Sequence, residues 1–402
     1  MTPAPPPDAV DRRLTVASLR PVLLSAVYPP GEELAWVGGV IRSWDAALVE
    51  VILSDGTTGL GEAGAGIMAP TAVPGIVEAL RPYVEGQDFA DPLHVGDHLR
   101  DRTAFWSRGG IASGTLGAVE AACVDAVGKR EGVPAYELLG GLRRPSIEAY
   151  ASGGLGSTFE QVAQWALGQV EAGLHTVKFR AMQDPDTTVE LVRHVVPLLP
   201  EGTRFVVDAV QGCASEPWSV EDATRVGKVV GELGARWYEE PCRAENVAGY
   251  ATVRAALDVP VSGVESDGTV EEFRVLIEAG GVDIAQPDAT FVGGPVAFGR
   301  VADLAAAHGV ACVPHVWGSG VTLMTNLHVS AAHPHVELFE YCTLPNPLRE
   351  ALLVAPLELR DSHVVLPATP GFGVRLTAEV EAEFPFRPGG GHVIGARKGE
   401  AA

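Results

Sequence analysis

Three acidic residues, Asp208, Glu239 and Glu265, each close a short apolar run: TRFVVD, ARWYEE and VPVSGVES. Carboxylates gathered in one place raise each other's pKa unless a cation lies between them. An all-oxygen donor set without Cys or His favours a hard divalent ion, Mg²⁺ or Mn²⁺, over Zn²⁺. Glu240 adjoins Glu239 and faces the other way in a strand, so Glu239 is the expected ligand and Glu240 one half of a salt bridge beneath the loop. In TVKFR, Lys178 and Arg180 are two residues apart and share one face. Asp288 ends VDIAQPD and His315 ends VACVPH. A carboxylate on one imidazole nitrogen fixes the tautomer and leaves the other nitrogen to carry a proton. Glu340, in VELFE, has two readings, a protonated acid that hydrogen-bonds a substrate or a structural anchor. Trp317 either lines the pocket or packs under its loop.

The elements that must position these groups follow from the spacing. From 178 to 208, 239, 265, 288, 315 and 340 the steps are 30, 31, 26, 23, 27 and 25 residues. Each step holds one strand, one helix and two loops, the pitch of a parallel β/α barrel, whose strand ends converge on one mouth. Barrel strands are covered on both faces, so the Lys178–Arg180 pair needs a partner, and a metal-bound anion in the lumen supplies one. Between the strands, QVAQWALGQVEAG, DTTVELVRHVVPLL, VEDATRVGKVVGEL, NVAGYATVRAAL, VEEFRVLIEAG and PVAFGRVADLAAAHG read as amphipathic helices. Upstream, AALVEVILSDGTTGLGEAG reads as two strands about an Asp55-Gly56 turn. Residues from about Ala72 to Gly140 have helical spacing and end in ASGTLGAVEAACVDAVGKREGVPAYELLGG, whose alternating small and apolar residues suit helices packed closely together. Strands followed by helices predict an α+β unit.

The 402 residues suit a barrel of about 250 residues plus one further domain. A formal charge of −22 argues against nucleic-acid or anionic-membrane partners. Five scattered cysteines without a CxxC pair predict reduced thiols and a cytoplasmic location. The start, MTPAPPPDAVDRR, lacks a signal-peptide core, and no apolar stretch is expected to reach bilayer-spanning length.

Taken together, SDGTTGLGEAG, AACVDAVGKREGVPAYELLGG, VKFR, YEEP, GVES, IAQPD, VPHVW, ELFEY and TPGFGV are similar in order and spacing to the enolase superfamily. The chain resembles its mandelate racemase/muconate lactonizing enzyme family, mandelate racemase subgroup, from about residue 14 to 385. The resemblance implies a modified (β/α) TIM barrel under an α+β N-terminal capping domain completed by the C-terminal segment. It also implies one Mg²⁺ on Asp208, Glu239 and Glu265, and removal of a proton next to a carboxylate by a Lys or His base. Two positions depart from the pattern. Arg180 stands where the last Lys of a Lys-x-Lys pair is usual, and guanidinium is a poor base but a good clamp. Val210 stands where Asn, or an acid His, is usual.

The expected organisation is a leader (1–13), a capping domain (14–143), a barrel (144–350), a returning segment (351–385) and a loose tail (386–402). The expected reaction is dehydration of an acid sugar to a 2-keto-3-deoxy acid, with His315 and Asp288 as the proton-carrying dyad and Lys178 and Arg180 beside it. The alternative is a racemase, epimerase or lactone cycloisomerase on a carboxylate substrate. Capping loops Tyr28–Gly39, with Glu32, Glu33 and Trp36, and Gly64–Val73, with Met68, are expected to set specificity, and the chain is expected to form a homo-oligomer.

Overall fold

A computed structural model describes residues 10–36, 39–389 and 391–394. The first nine residues of the expected leader, residues 37 and 38 of the first capping loop, and positions 390 and 395–402 of the expected tail lie outside them.

The amino-terminal strands are β1 (Leu14–Val27), β2 (Leu34–Trp36), β3 (Gly39–Ile41), β4 (Ser43–Leu53) and β5 (Thr58–Glu62). Helix α1 (Val73–Val84), strand β6 (Asp88–Phe89) and helices α2 (Val95–Thr103), α3 (Gly110–Glu131) and α4 (Ala135–Leu138) follow. The main sheet has the order β5-β4-β1-β6. The expected hairpin is present. Gly56 takes φ +87 and Asp55 Oδ1 accepts from the Thr57 amide at 2.8 Å, which sets the β4–β5 register.

The small-residue stretch is α3, but its closest partner is a strand rather than a helix. A Cβ on Gly61 of β5 would sit 1.9 Å from the Ala118 carbonyl oxygen, and one on Gly59 2.0 Å from that of Ala122. Only bare backbone lets helix and strand approach so closely. The same helix corrects the expectation about apolar length. With 22 residues it is long and apolar enough to cross a bilayer, yet 89% of its apolar window is buried inside the fold.

Eight strands form the barrel: β7 (Ser146–Ser152), β8 (Thr176–Arg180), β9 (Arg204–Asp208), β10 (Trp237–Glu239), β11 (Val261–Gly263), β12 (Ile284–Ala285), β13 (Ala311–Cys312) and β14 (Leu338–Cys342). They pair in parallel from β7 to β13, β14 pairs with β7, and a Cys312–Val336 bridge closes the ring. The outer helices are α5 (Phe159–Glu171), α6 (Pro185–Val195), α7 (Val220–Glu232), α8 (Val247–Ala255), α9 (Val270–Glu278), α10 (Pro295–Ala307), α11 (Gly320–Ala332) and the short α12 (Pro347–Ala351). Side chains of Thr158, Asp184, Ser219, Asn246 and Thr269 cap the first five, accepting from amides that the helix leaves unpaired.

The returning segment does more than rejoin the cap. Strands β15 (Leu359–Arg360) and β16 (His363–Val365) form a hairpin that pairs antiparallel with β7. Phe372 then donates its amide to Asp125 of α3 at 2.7 Å, and after helix α13 (Ala378–Glu383) the Ser25 amide of β1 donates to the Phe384 carbonyl at 3.1 Å. The expected loose tail is ordered over 391–394. Strand β17 (His392–Ile394) pairs with β3, giving a second sheet of order β17-β3-β2.

Candidate active site

The lumen is plugged by Tyr150, Val206, Trp237, Val313 and Leu338. One layer higher, Lys178 is fully buried with its Nζ 2.7 Å from Glu340 Oε1, in contact with Glu239 Oε1 and 3.9 Å from Asp208 Oδ2. Burial lowers its pKa, but Glu239 and Glu340 outweigh that and hold it well above the usual lysine value. Glu239 Oε2 accepts from Trp237 Nε1 and Gln286 Nε2, each at 2.9 Å. Glu340 Oε2 accepts from the Val316 amide at 2.6 Å and Oε1 from Trp317 Nε1 at 3.3 Å. Burial opposes its ionisation, yet Lys178, His315 and Arg180 bring its pKa to about 2. Glu340 is thus held by Lys178, the Val316 amide and Trp317, and it is not among the residues that line the cavity above.

Above this layer Arg180 Nε lies 3.1 Å from Asp208 Oδ2, and its guanidinium stacks 4.8 Å from the Trp317 ring. The β8–β9 register, Arg180 opposite Asp208, makes that pair. Neighbouring carboxylates hold the guanidinium protonated against burial. Across the mouth, Asp288 Oδ1 accepts from the Thr290 amide at 2.8 Å, Thr290 Oγ1 at 2.7 Å and Asn326 Nδ2 at 2.8 Å. That leaves Oδ2 for His315 Nδ1 at 3.0 Å and turns Nε2 towards Glu265, 3.5 Å away. Burial lowers the His315 pKa, but Glu265, Asp288 and Glu340 outweigh it and push the pKa up to about 9.

Three β-branched or acidic residues just past consecutive strand ends adopt left-handed backbone: Val210 (φ 55), Glu240 (φ 47) and Val264 (φ 64). This conformation is costly for such residues and persists where surrounding structure demands it. The turn carries the Glu240 carboxyl inward. It is buried against Gly212, where a Cβ would lie 2.3 Å from its Oε1, and no hydrogen bond or ion pair to it is found among the described residues. The expected salt bridge is therefore absent. Burial first, then Glu265, Asp208 and Glu239, raise its pKa well above the carboxylate range.

As placed, no three Asp, Glu, His or Cys side chains among the described residues enclose a common metal position. An unpartnered buried carboxylate crowded by three others is nevertheless what a hard cation would relieve, so the donor chemistry fits a divalent ion.

These groups open onto a cavity of about 240 Å³ lined by Arg180, Asp208, Glu265, His315 and Trp317, which answers the question left open for Trp317. A separate groove of about 930 Å³ lies beside α2 and α9 and is lined by none of the residues that line this cavity. Trp36, Ile67 and Met68 bring both capping loops to the cavity, whereas Glu32 and Glu33 do not line it. Sequence reasoning missed Gln286, Asn326 and His392. Gln286 had a signal, since it lies two residues before Asp288 in the same IAQPD run; the other two had none.

Residues 39–140 match the description "Mandelate racemase / muconate lactonizing enzyme, N-terminal domain" and residues 161–380 match "Enolase C-terminal domain-like". The chain belongs to the mandelate racemase/muconate lactonizing enzyme family of the enolase superfamily. Membership of this family implies an Mg²⁺ cofactor in general. The family member D-galactarolactone cycloisomerase of Agrobacterium fabrum is 31% identical over 84% of this chain and 90% of its own length. L-rhamnonate dehydratase of Saccharopolyspora erythraea is also 31% identical, over 84% of this chain and 85% of its own. The solved structure of an enolase-superfamily member from a Polaromonas species superposes with TM-score 0.85 at 27% identity, covering 95% of this chain and 100% of that one.

Proposed function

We propose that this family member is an Mg²⁺-dependent acid-sugar dehydratase that converts its substrate to a 2-keto-3-deoxy acid. The observation that carries the reading is an asymmetry across the cavity. His315 is oriented by Asp288 and presents Nε2, whereas the opposite wall offers only Arg180, ion-paired to Asp208 and permanently charged. Racemisation needs a competent base on both faces of the substrate carbon; dehydration needs one.

Asp208, Glu239 and Glu265 would hold the cation, with the Glu240 carboxyl beside them. When bound, the ion would hold the substrate carboxylate and offset the charge that develops on it as the α-proton leaves. His315 Nε2 takes the α-proton, and the resulting imidazolium returns a proton to the β-hydroxyl as its C–O bond breaks, releasing water. One residue performing both transfers makes the elimination syn. The enol then ketonises at C2. Arg180 clamps a substrate oxygen, and Lys178 keeps positive charge beneath the reacting carboxylate. Lactone cycloisomerisation is the second reading, favoured by the Agrobacterium relative, and begins with the same proton abstraction.

The test is proton NMR in D₂O with Mg²⁺ and pooled aldonates, aldarates and lactones, run on wild type and His315→Asn. Wild type should yield a 2-keto-3-deoxy product. The variant should lose about 10³-fold or more in rate while calorimetry shows unchanged Mg²⁺ affinity. Retained turnover in the variant, or a stereoisomer as the only product, overturns the assignment.

A further inference from the structure

The roof of the cavity differs in character from its floor. The floor carries Arg180, Asp208, Glu265 and His315; the roof presents Trp36, Ile41, Ile67, Met68 and, from β17, His392. In the β17-β3-β2 sheet, Ile41 pairs with both His392 and Leu34, and Leu34 and Trp36 alternate onto one face. Cross-strand partners point the same way, so Trp36, Ile41 and His392 share the face that covers the site.

Two polar atoms on that face are anomalous. Trp36 Nε1 and His392 Nδ1 are buried and have no hydrogen-bond partner among the described residues. A buried polar atom without a partner is destabilising, and here two such residues line one cavity. His392 is held in place from behind. Its ring meets Trp44 edge-on at 5.4 Å, and Trp44 in turn packs 5.7 Å from Trp317. The strand is anchored where the Arg42 amide donates to the Gly391 carbonyl at 2.9 Å. Gly391 has φ +67, and a Cβ there would lie 2.8 Å from Asp45 Oδ2, so this turn admits little but glycine.

Resting on the acid-sugar reading above, we propose that Trp36 and His392 form a roof subsite that positions the far end of the substrate through one uncharged oxygen. Trp36 Nε1 donates to that oxygen, and the imidazole donates or accepts according to its tautomer. Arg180 is the one Lys or Arg among the described residues lining the cavity, and it sits at the strand ends. A second carboxylate at the roof would therefore lie against apolar walls with no cation to meet it. The substrate class that fits is a monocarboxylic sugar acid poor in distal hydroxyls, such as a deoxy, anhydro or lactone form, rather than a diacid.

Calorimetry with Mg²⁺ on the full chain, carrying His315→Asn to prevent turnover, tests this with L-rhamnonate, D-galactonate, D-galactarate and the truncated acid glycerate. L-rhamnonate should bind more tightly than D-galactonate, and D-galactarate most weakly of the three. Adding His392→Phe, which keeps the ring against Trp44, or Trp36→Phe should cut the L-rhamnonate-to-glycerate affinity ratio at least tenfold. A general loosening of the fold would weaken both acids alike and leave the ratio unchanged. An unchanged ratio, or tightest binding of the diacid, overturns the roof subsite. Binding in the expected order without turnover by the parent enzyme would sink dehydration and leave the subsite standing. No binding of any of the four overturns both.

Discussion

Arg180 shows how one side chain narrows a reaction. Its guanidinium is fixed between Asp208 and the Trp317 ring, a planar contact that an ammonium cannot reproduce. Arg180→Lys should lower kcat/KM about tenfold or more for the best acid sugar and should add no α-proton exchange, both followed by NMR in D₂O; exchange without product in the variant would point to a latent second base. The pairing of Asp288 with His315 was legible because each closes an apolar run one barrel step from the other, although both lie three residues past the strands those runs form. Glu240 was not. Whether the second acid of a pair faces the site depends on a single left-handed turn after the strand, and side-chain alternation says nothing about that turn. Glu340 was open for a similar reason. Its closest charged partner is Lys178 on β8, 2.7 Å from Oε1, a contact that its own run does not foretell.

At the scale of elements, α11 carries much of the positioning. It follows directly on the loop that bears His315 and Trp317, and its amino terminus is capped from another domain. Glu62, at the end of β5, accepts from Ser319 Oγ at 2.6 Å, the Ser319 amide at 3.3 Å and the Thr322 amide at 3.0 Å. Glu62→Ala strands these buried donors and should cost about 2–4 kcal/mol in urea unfolding, with a fall in kcat as the His315 loop loosens; full activity at reduced stability would show that the loop is held by other contacts. The sequence pattern exposed the outer helices because each keeps a polar face. It did not expose α11, all thirteen residues of which are buried, since a helix covered on every side has no stripe to read. Strand β17 was hidden for a different reason. Three residues become a strand only because β3, some 350 positions earlier, offers an edge.

Across the whole molecule, cap, barrel and returning segment meet at His328. Its ring stacks on Tyr136 of α4 at 5.3 Å and meets Phe372 edge-on at 5.5 Å, while Nδ1 accepts from the Tyr136 amide at 3.2 Å. Burial pushes its pKa from 6.5 down to about 3. Above pH 6.5 the imidazole is neutral in both folded and unfolded chains, and nothing is lost. Below it the unfolded chain takes up a proton that the folded one refuses, so stability falls as pH drops towards 3. The slope contributed is up to about 1.4 kcal/mol per pH unit. His328→Gln should flatten the pH dependence of urea midpoints in this range; an identical slope would mean that other groups dominate acid unfolding. The ordered strand at 391–394 has a different bearing, on the timing of assembly. Chains fold as they emerge, amino-terminal parts first, so the proton-carrying dyad and its acidic neighbours can form while the mouth above them still lacks one wall. A nascent chain halted before residue 392 would own the dyad while the cavity above it still lacked the wall that His392 supplies.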